Sequence, residues 1–382
     1  MSQRQHGRPA RTVLEQKIWD RGETLAEFVE YAERFARETG ERGTLSERNL
    51  KRLVAGRKPD GTSATRPRPA TVRLLERIFE TEIDRLLAPL HDTDEEAENE
   101  LRQMLNLVRR IDDSVLAVLH DQLNALRRLD RQFGAVTHNE VVAKCRQIAQ
   151  LFTHSLAPGT RAPLAALLSE ISTLAGWQAL DMGRPSEAWQ HYEQAKSAGR
   201  ESGLPAYEAH ATAEQAFVLL DLDDNAAAVN LLEQARRQAE ATASRALRAW
   251  LAAAHGEGLA ANQQGSTALH TFDQAANLLP SEPPGDGPFV ALDPTHLTRW
   301  RGHALARSGN PQATDVLTSA LRELDPTFTR AETGLRIDLA TALHAQDEPA
   351  AAAIHAERAR SLAAAVGSVR QQRRLAQLAR RV

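Results

Sequence analysis

Apolar residues recur along this chain at helical spacing, and runs of β-branched residues are nearly absent, so the pattern predicts an all-α fold. Near the N-terminus one helix carries Val13, Leu14, Ile18 and Trp19, and the next carries Leu25, Phe28, Val29 and Phe35. A third carries Leu50, Leu53 and Val54. A fourth, led by Pro69, carries Val72, Leu75, Ile78 and Phe79, and a short one ends on Leu86 and Leu87. Punctuation supports these limits. Thr24 with Glu27 fits a capping box, in which each side chain satisfies an amide left open in the first turn. Thr44 with Glu47 fits another, and Thr81 with Asp84 a looser one. The second helix is expected from Thr24 to about Glu38. Four or five short helices in about 80 residues are the content of a helix-turn-helix domain.

Further along, the pattern repeats. An alanine, an aromatic or Leu four places on, and an alanine three places after that recur as Ala188/Tyr192/Ala195, Ala228/Leu232/Ala235, Ala268/Phe272/Ala275 and Ala313/Leu317/Ala320. A weaker copy is Ala352/Ala356/Ala359. A recurrence of this kind signals a helical solenoid, in which paired helices approach closely over the small residues. Each copy has an upstream helix, a polar break such as "DMGRPSE" or "DLDDNA", and then the alanine-rich helix. Between the third and fourth copies lies a Pro/Gly loop, "LPSEPPGDGPFVALDPTH" (279–296), open to reading as a lid or as an ordinary insertion.

Charge divides the chain. Over 42–77 ten Lys or Arg stand against three acids, although all 382 residues together carry a net charge of -3. Directly after comes "HDTDEEAENE", six acids without a Lys or Arg. The expected organisation is a disordered N-terminus over 1–10, a basic helix-turn-helix module over 11–90, an acidic linker over 91–100 and a repeat domain over 101–382. Cys145 is the one cysteine, in an apolar helical stretch where a small buried hydrophobe is expected; no internal disulfide is possible, and a reducing compartment follows. No apolar run is long enough to span a bilayer, and the first residues have no signal-peptide core, so a cytoplasmic, nucleoid-associated protein is expected.

The stretch "LSERNLKRLVAGRKP" carries the most chemistry. With Thr44 as cap and Gly56 as stop, the helix covers about 45–55. Advancing 100° per residue, Leu53 and Val54 lie within about 60° of Leu50, and Arg48 and Arg52 lie on the opposite side, flanked by Asn49 and Lys51. Arg is suited to guanine edges and Asn to adenine edges. Ser46 sits at the start of that face, and Glu47 is assigned to the cap. Arg57, Lys58, Arg66 and Arg68 follow on a loop suited to phosphates, which position a protein without specifying sequence.

"RTVLEQKIWDRGETLAEF", "TLSERNLKRLVAGRKP" and "RPATVRLLERIFETEIDRLLAP" resemble the N-terminal helix-turn-helix of XRE-like (Cro/C1-type) transcriptional regulators of the high-GC, actinomycete type, over about 11–90. The long second helix and the "TGERG" after it depart from that family's short helix and tight turn. "LAGWQALDMGRPSEAWQHYEQAKSAG" (174–199) is similar to a tetratricopeptide repeat, with Gly176, Ala188, Tyr192 and Ala195 at the family's small and aromatic positions, although the copies are elongated. The combination resembles regulators in which a helix-turn-helix is fused to a solenoid that binds a signalling peptide. The resemblance implies double-stranded DNA and a peptide or small-molecule signal as partners, a homodimer, and ligand control of the spacing between two DNA heads.

Solenoids bind on their concave face, which in tetratricopeptide proteins comes from the first helix of each pair. In register, Trp177, Phe217 and Glu257 share one position, Asp181 and Asp221 another, and Glu170, His210 and Trp250 a third. These are the groove candidates. Catalytic and metal motifs are missing: there is no HExxH, CxxC, GxGxxG after a strand or GxxxxGK[ST]. His6, His154, His255, His303 and His355 have no carboxylate or cysteine at ligand spacing in the sequence. No enzyme, cofactor or metal is expected. The alternative is a protein–protein adaptor with a vestigial helix-turn-helix, which would have no need of the basic face at 48–52.

Overall fold

The computed structural model describes residues 10–55, 67–88, 90–280 and 287–380, and for 90–96 the backbone alone. All secondary structure among them is helical. The chain divides into two compact units, Met1–Asn106 and Leu107–Val382.

The first unit holds α1 (Val13–Asp20), α2 (Leu25–Thr39), α3 (Glu47–Val54), α4 (Pro69–Phe79) and α5 (Ile83–Leu86). Leu14, Ile18, Phe28, Ala32, Leu50, Leu53, Val54, Leu74, Leu75 and Leu86 form one buried core, with Phe79 stacked on Phe28 at 5.3 Å. The Thr24 capping box is present with both bonds. The other two expected boxes are corrected. α3 starts at Glu47, not 45, and its cap is Ser46, whose Oγ accepts from the Asn49 amide. The reason is a hydrophobic staple: Leu45 and Leu50, on either side of Ser46, are buried in the same core, and this fixes where the chain enters the helix. Thr44 instead offers its carbonyl to Thr71. Thr81 turns back to the Phe79 carbonyl, and the first amide of α5, Ile83, donates to Glu76. Residues 1–9 lie outside the described residues, and Ala10 is buried. The acidic stretch expected as a linker lies within a helix, α6 (Leu90–Val108), which crosses the division between the units.

The second unit is a stack of helical hairpins. It opens with α7 (Asp113–Phe133), a 3-10 turn (Gly134–Thr137) and α8 (His138–His154). Five hairpins follow: α9 (Pro158–Asp181) with α10 (Pro185–Glu201), α11 (Pro205–Asp221) with α12 (Asn225–Ala239), α13 (Arg245–Ala261) with α14 (Gly265–Leu278), α15 (Pro294–Arg307) with α16 (Ala313–Glu323), and α17 (Thr329–Ala345) with α18 (Pro349–Ala365). α19 (Val369–Ala379) closes the set. The repeating alanines, except the half-buried Ala356 of the weaker copy, and the Tyr192, Leu232, Phe272 and Leu317 that go with them are buried on the second helices, where the spacing put them. Gly176 shows why small residues recur: a Cβ there would come within 2.9 Å of the Tyr192 ring.

The first helices pack on one another in order, α9, α11, α13, α15, α17 and α19. The row then returns on itself. α19 meets α9, α17 meets α7, and the Ala135 amide donates to the Val366 carbonyl at 3.1 Å. The inner faces of these helices therefore surround a central space.

Candidate nucleic-acid interface and candidate ligand cavity

On α3, Leu50, Leu53 and Val54 are fully buried, so the rest of a two-turn helix must face outward. Ser46, Arg48, Lys51 and Arg52 are exposed and Asn49 half-buried. Their partners are local. Lys51 pairs with Glu47 at 2.6 Å, so Glu47 holds a lysine rather than the cap assigned to it. Arg52 donates to Asn49 Oδ1 at 2.8 Å. Exposed Arg42, Arg68 and Arg73 lie in the same unit, Arg68 as the residue capping α4. Arg57, Lys58 and Arg66 lie outside the described residues.

The central space of the repeat unit is a cavity of about 440 Å³. Its apolar part is an aromatic cluster: Trp177, Trp250 and Trp300 each lie 6.1–6.4 Å from Phe217, Trp300 lies 6.1 Å from Trp250, and His210 meets Trp250 edge-on at 4.9 Å. The six first helices, α7 and the segment around Phe289 supply the rest.

Ion pairs ring the cavity, and they join the two ends of the stack. Arg127 of α7 donates to Glu170 of α9 at 2.6 Å, and the same oxygen accepts the Phe289 amide at 2.8 Å. The Arg127 guanidinium also lies 4.5 Å from the Phe289 ring, and Arg131 stands over Phe289 and Phe328 at 5.3 and 4.8 Å. Arg330 of α17 grips both oxygens of Asp130 at 3.0 and 2.9 Å. Its Nε is 3.1 Å from Asp181, a close ion pair without the alignment of a hydrogen bond. Asp181 accepts from Ser368 at 2.6 Å, Arg370 of α19 donates to Asp221 at 2.9 Å, and Asp338 takes both Arg374 at 2.5 Å and His303 at 2.7 Å. Burial pulls the Arg330 and Arg370 guanidiniums down, but Asp130 and Asp181 around the first, and Asp221 and Glu257 around the second, outweigh it and hold both above the ordinary value. Burial also works against the Asp338 carboxylate, yet His303 and Arg374 keep it well below the usual range.

Two groups differ. Burial pushes the Glu214 carboxyl up to about 8 and its neighbour His210, 3.7 Å away, down to about 3. Near neutral pH both are uncharged, so this contact is not an ion pair. Arg299 has a buried Nε with no hydrogen-bond partner among the described residues. Chemically the cavity offers flat apolar faces beside charged groups held in fixed positions. Among the described residues no group of His, Cys, Asp and Glu is placed to hold a metal, and no helix is long and apolar enough to cross a membrane.

No family model matches this chain, and no curated protein does. Among solved structures it is similar to PlcR of Bacillus thuringiensis in complex with the peptide PapR7 and DNA, at 12% identity and TM-score 0.39 over 81% of this chain and 93% of that one. It is similar to the apo form of the quorum sensor NprR from B. thuringiensis, at 13% identity and TM-score 0.41 over 76% of each chain. It is also similar to a Podosopora anserina protein of nearly identical TPR-like repeats, at 20% identity and TM-score 0.33 over 50% of this chain and 93% of that one.

The register places Glu170, Trp177, His210, Phe217, Asp221, Trp250 and Glu257 together on the cavity wall. Asp181 is the exception: it is fully buried behind the wall, held by Arg330 and Ser368. The loop after α14 was open to two readings; its described end, at Phe289, Val290 and Ala291, forms part of the wall, and 281–286 lie outside the described residues. His303, without a carboxylate near it in sequence, meets Asp338 in space. Cys145 is buried against Ser172 and Gln194, and burial raises its thiol. Missed on the wall are Arg127, Asp130 and Arg131 of α7 and the inner faces of α15, α17 and α19. A signal existed in their spacing: Arg299/His303, Arg330/Gly334/Asp338 and Arg370/Arg374/Gln377 each follow one helical face.

Proposed function

We propose that this chain is a sequence-specific DNA-binding transcriptional regulator whose repeat unit holds a signal molecule in its central cavity. The observation that carries the reading is α3, where a fully buried Leu50/Leu53/Val54 stripe forces Arg48, Asn49, Lys51 and Arg52 onto the outward side. Arg48 and Arg52 are assigned to guanine edges, and Asn49, turned by its bond to Arg52, to an adenine edge. Arg42, Arg68 and Arg73 are assigned to phosphates, with Arg57, Lys58 and Arg66 in the same role. One two-turn helix reads few bases, so two copies acting on a two-fold site are expected.

The cavity takes the signal. At about 440 Å³ it is of the size that encloses a compact ligand, a small molecule or the end of a peptide. Ligand shifts DNA binding only as far as it prefers one arrangement of the ring over another, and the ion pairs joining α7 and α9 to α17 and α19 are the contacts that differ when the ring opens. The test is selection of genomic fragments by the purified chain near physiological salt, beside the double variant Arg48→Ala/Arg52→Ala. Enrichment of a few sites by the wild type, lost in a variant with unchanged helicity, is the expected result. Identical enrichment by both would overturn the assignment of α3, and salt-sensitive retention without sequence preference would overturn the regulator reading.

A further inference from the structure

α7 carries two faces. Leu119, Leu123, Leu126, Arg127 and Asp130 are buried against the rest of the repeat unit. About 100° round the helix runs a second apolar stripe, in which Val115, Val118, Leu129 and Phe133 are exposed and Ala125 is half-buried; Gln122, in line with them, accepts from Lys144 of α8 at 2.8 Å. Val118 is 54% and Phe133 44% exposed. The intervals of three and four residues are those of a two-stranded helical seam, and Val115 to Phe133 spans about 27 Å of helix. The side of the stripe away from the core carries exposed Asp121 and Arg128.

We propose that this stripe is where a second copy of the chain docks, α7 against α7 in antiparallel. The arrangement of charge selects that occupant. In an antiparallel pair centred between Leu123 and Asn124, Val118 faces the partner's Leu129, Gln122 faces the partner's Ala125, and each layer recurs by the two-fold. The same register brings Asp121 of each copy beside the partner's Arg128, so opposite charges meet twice. A parallel pair would set the two copies of this face on opposite sides of the seam, Asp121 toward the partner's Leu126 and Arg128 toward the partner's Phe133, where neither meets an opposite charge. The inference rests on the dimer expected under the proposed function, and it gives that dimer a regulatory link: Arg127, Asp130 and Arg131, on the same helix, form cavity wall. A ligand that moves them moves the seam.

Sedimentation of the full-length chain, without DNA, tests this. The wild type is expected as a dimer at tens of micromolar, and Val118→Asp/Leu129→Asp as a monomer, with dissociation at least about 100-fold easier because each lost layer occurs twice. Asp121→Arg and Arg128→Asp are each expected to weaken the dimer about tenfold by setting like charges together, and combining them is expected to restore it to within about threefold. A monomeric wild type, a dimer indifferent to Val118→Asp/Leu129→Asp, or a combined reversal weaker than either single one would overturn the proposal. Circular dichroism of each variant shows that the fold is kept. Because no DNA is present, failure here leaves the assignment of α3 standing, and failure of DNA selection leaves the dimer standing.

Discussion

The charges of α3 and those of the cavity are the same residue types used in opposite ways. On α3 the partners are one turn away and in solvent: Glu47 with Lys51, Asn49 with Arg52. Round the cavity, Arg330 and Asp130 are 200 residues apart, Ser368 and Asp181 187, and Arg370 and Asp221 149, and these contacts are buried or partly so. Exposed pairs contribute little and exchange readily for a phosphate or a base edge. Buried pairs are costly to break because each leaves an uncompensated charge in a poor dielectric. The first set suits a surface that gives up its own contacts to a ligand. The second holds a ring shut, and a ligand inside it must complete the network rather than replace it.

The largest effect is expected where the ring is held. Arg330→Met strands Asp130 and Asp181 in buried surroundings and is expected to destabilise the repeat unit by about 3–5 kcal/mol, read as a fall in its thermal midpoint. Adding Asp130→Asn should recover part of the loss, since it removes one stranded charge. A midpoint unmoved by Arg330→Met would mean that the ends are joined by packing alone, and the contrast with α3 would collapse.

How much of this was readable follows the same division. Helix positions in the first unit came from apolar spacing and caps, which are local signals, and the two displaced starts turned on tertiary contacts: Leu45 entering the core before α3, and Glu76 taking the first amide of α5. The inner faces of α9, α11 and α13 were found because a 40-residue interval carried Glu170, Trp177, His210, Phe217, Trp250 and Glu257 into register. At α15 the interval lengthens to 45, and Arg299, Trp300 and His303 drop out of it. Arg330 of α17 and Arg370 of α19 look like solvated surface in sequence, because the carboxylates that answer them come from the other end of the stack. Asp181 matched the register and still faces Arg330 rather than the cavity. Register gives the side of the helix; closure of the ring decides what lies on that side.

Packing across the hairpins comes next in size. Gly176→Val places methyl groups into the Tyr192 ring, where even a Cβ would stand at 2.9 Å, and is expected to cost about 1–3 kcal/mol in chemical unfolding of the repeat unit. A loss below that range would show that Tyr192 can turn aside, and that the α9–α10 contact is looser than the ring contacts.

Glu214 sharpens the comparison through pH. Its carboxyl titrates near 4.5 when unfolded and is pushed up to about 8 when folded, so between those values the folded chain keeps a proton that the unfolded chain has released. The stability from this group is complete below the lower value and drains as pH rises through the upper one, by about 1.4 kcal/mol per unit at most. Comparing wild type with Glu214→Gln between about pH 7 and about pH 8.5 isolates it, since the lowered histidines, His210 among them, and the raised Cys145 thiol are common to both chains. Glu214→Gln should therefore flatten the decline over that interval. Parallel curves for wild type and variant would show that Glu214 is ionised in the cavity at neutral pH.

The smallest stability change is expected on α3, and it is the one that separates the two kinds of charge most directly. Glu47→Gln breaks an exposed pair one helical turn long, worth about 0.3–0.5 kcal/mol, so unfolding of the first unit should hardly shift. The Lys51 ammonium is then released beside Arg48 and Arg52, and one negative charge leaves the face assigned to DNA. Affinity for a selected site should rise several-fold at low salt and converge on the wild type as salt screens the change. The same substitution therefore leaves folding alone and moves binding, where Arg330→Met does the reverse to the ring. Unchanged affinity with unchanged stability would place Glu47 and Lys51 outside the contact surface and leave Arg48, Asn49 and Arg52 to carry it.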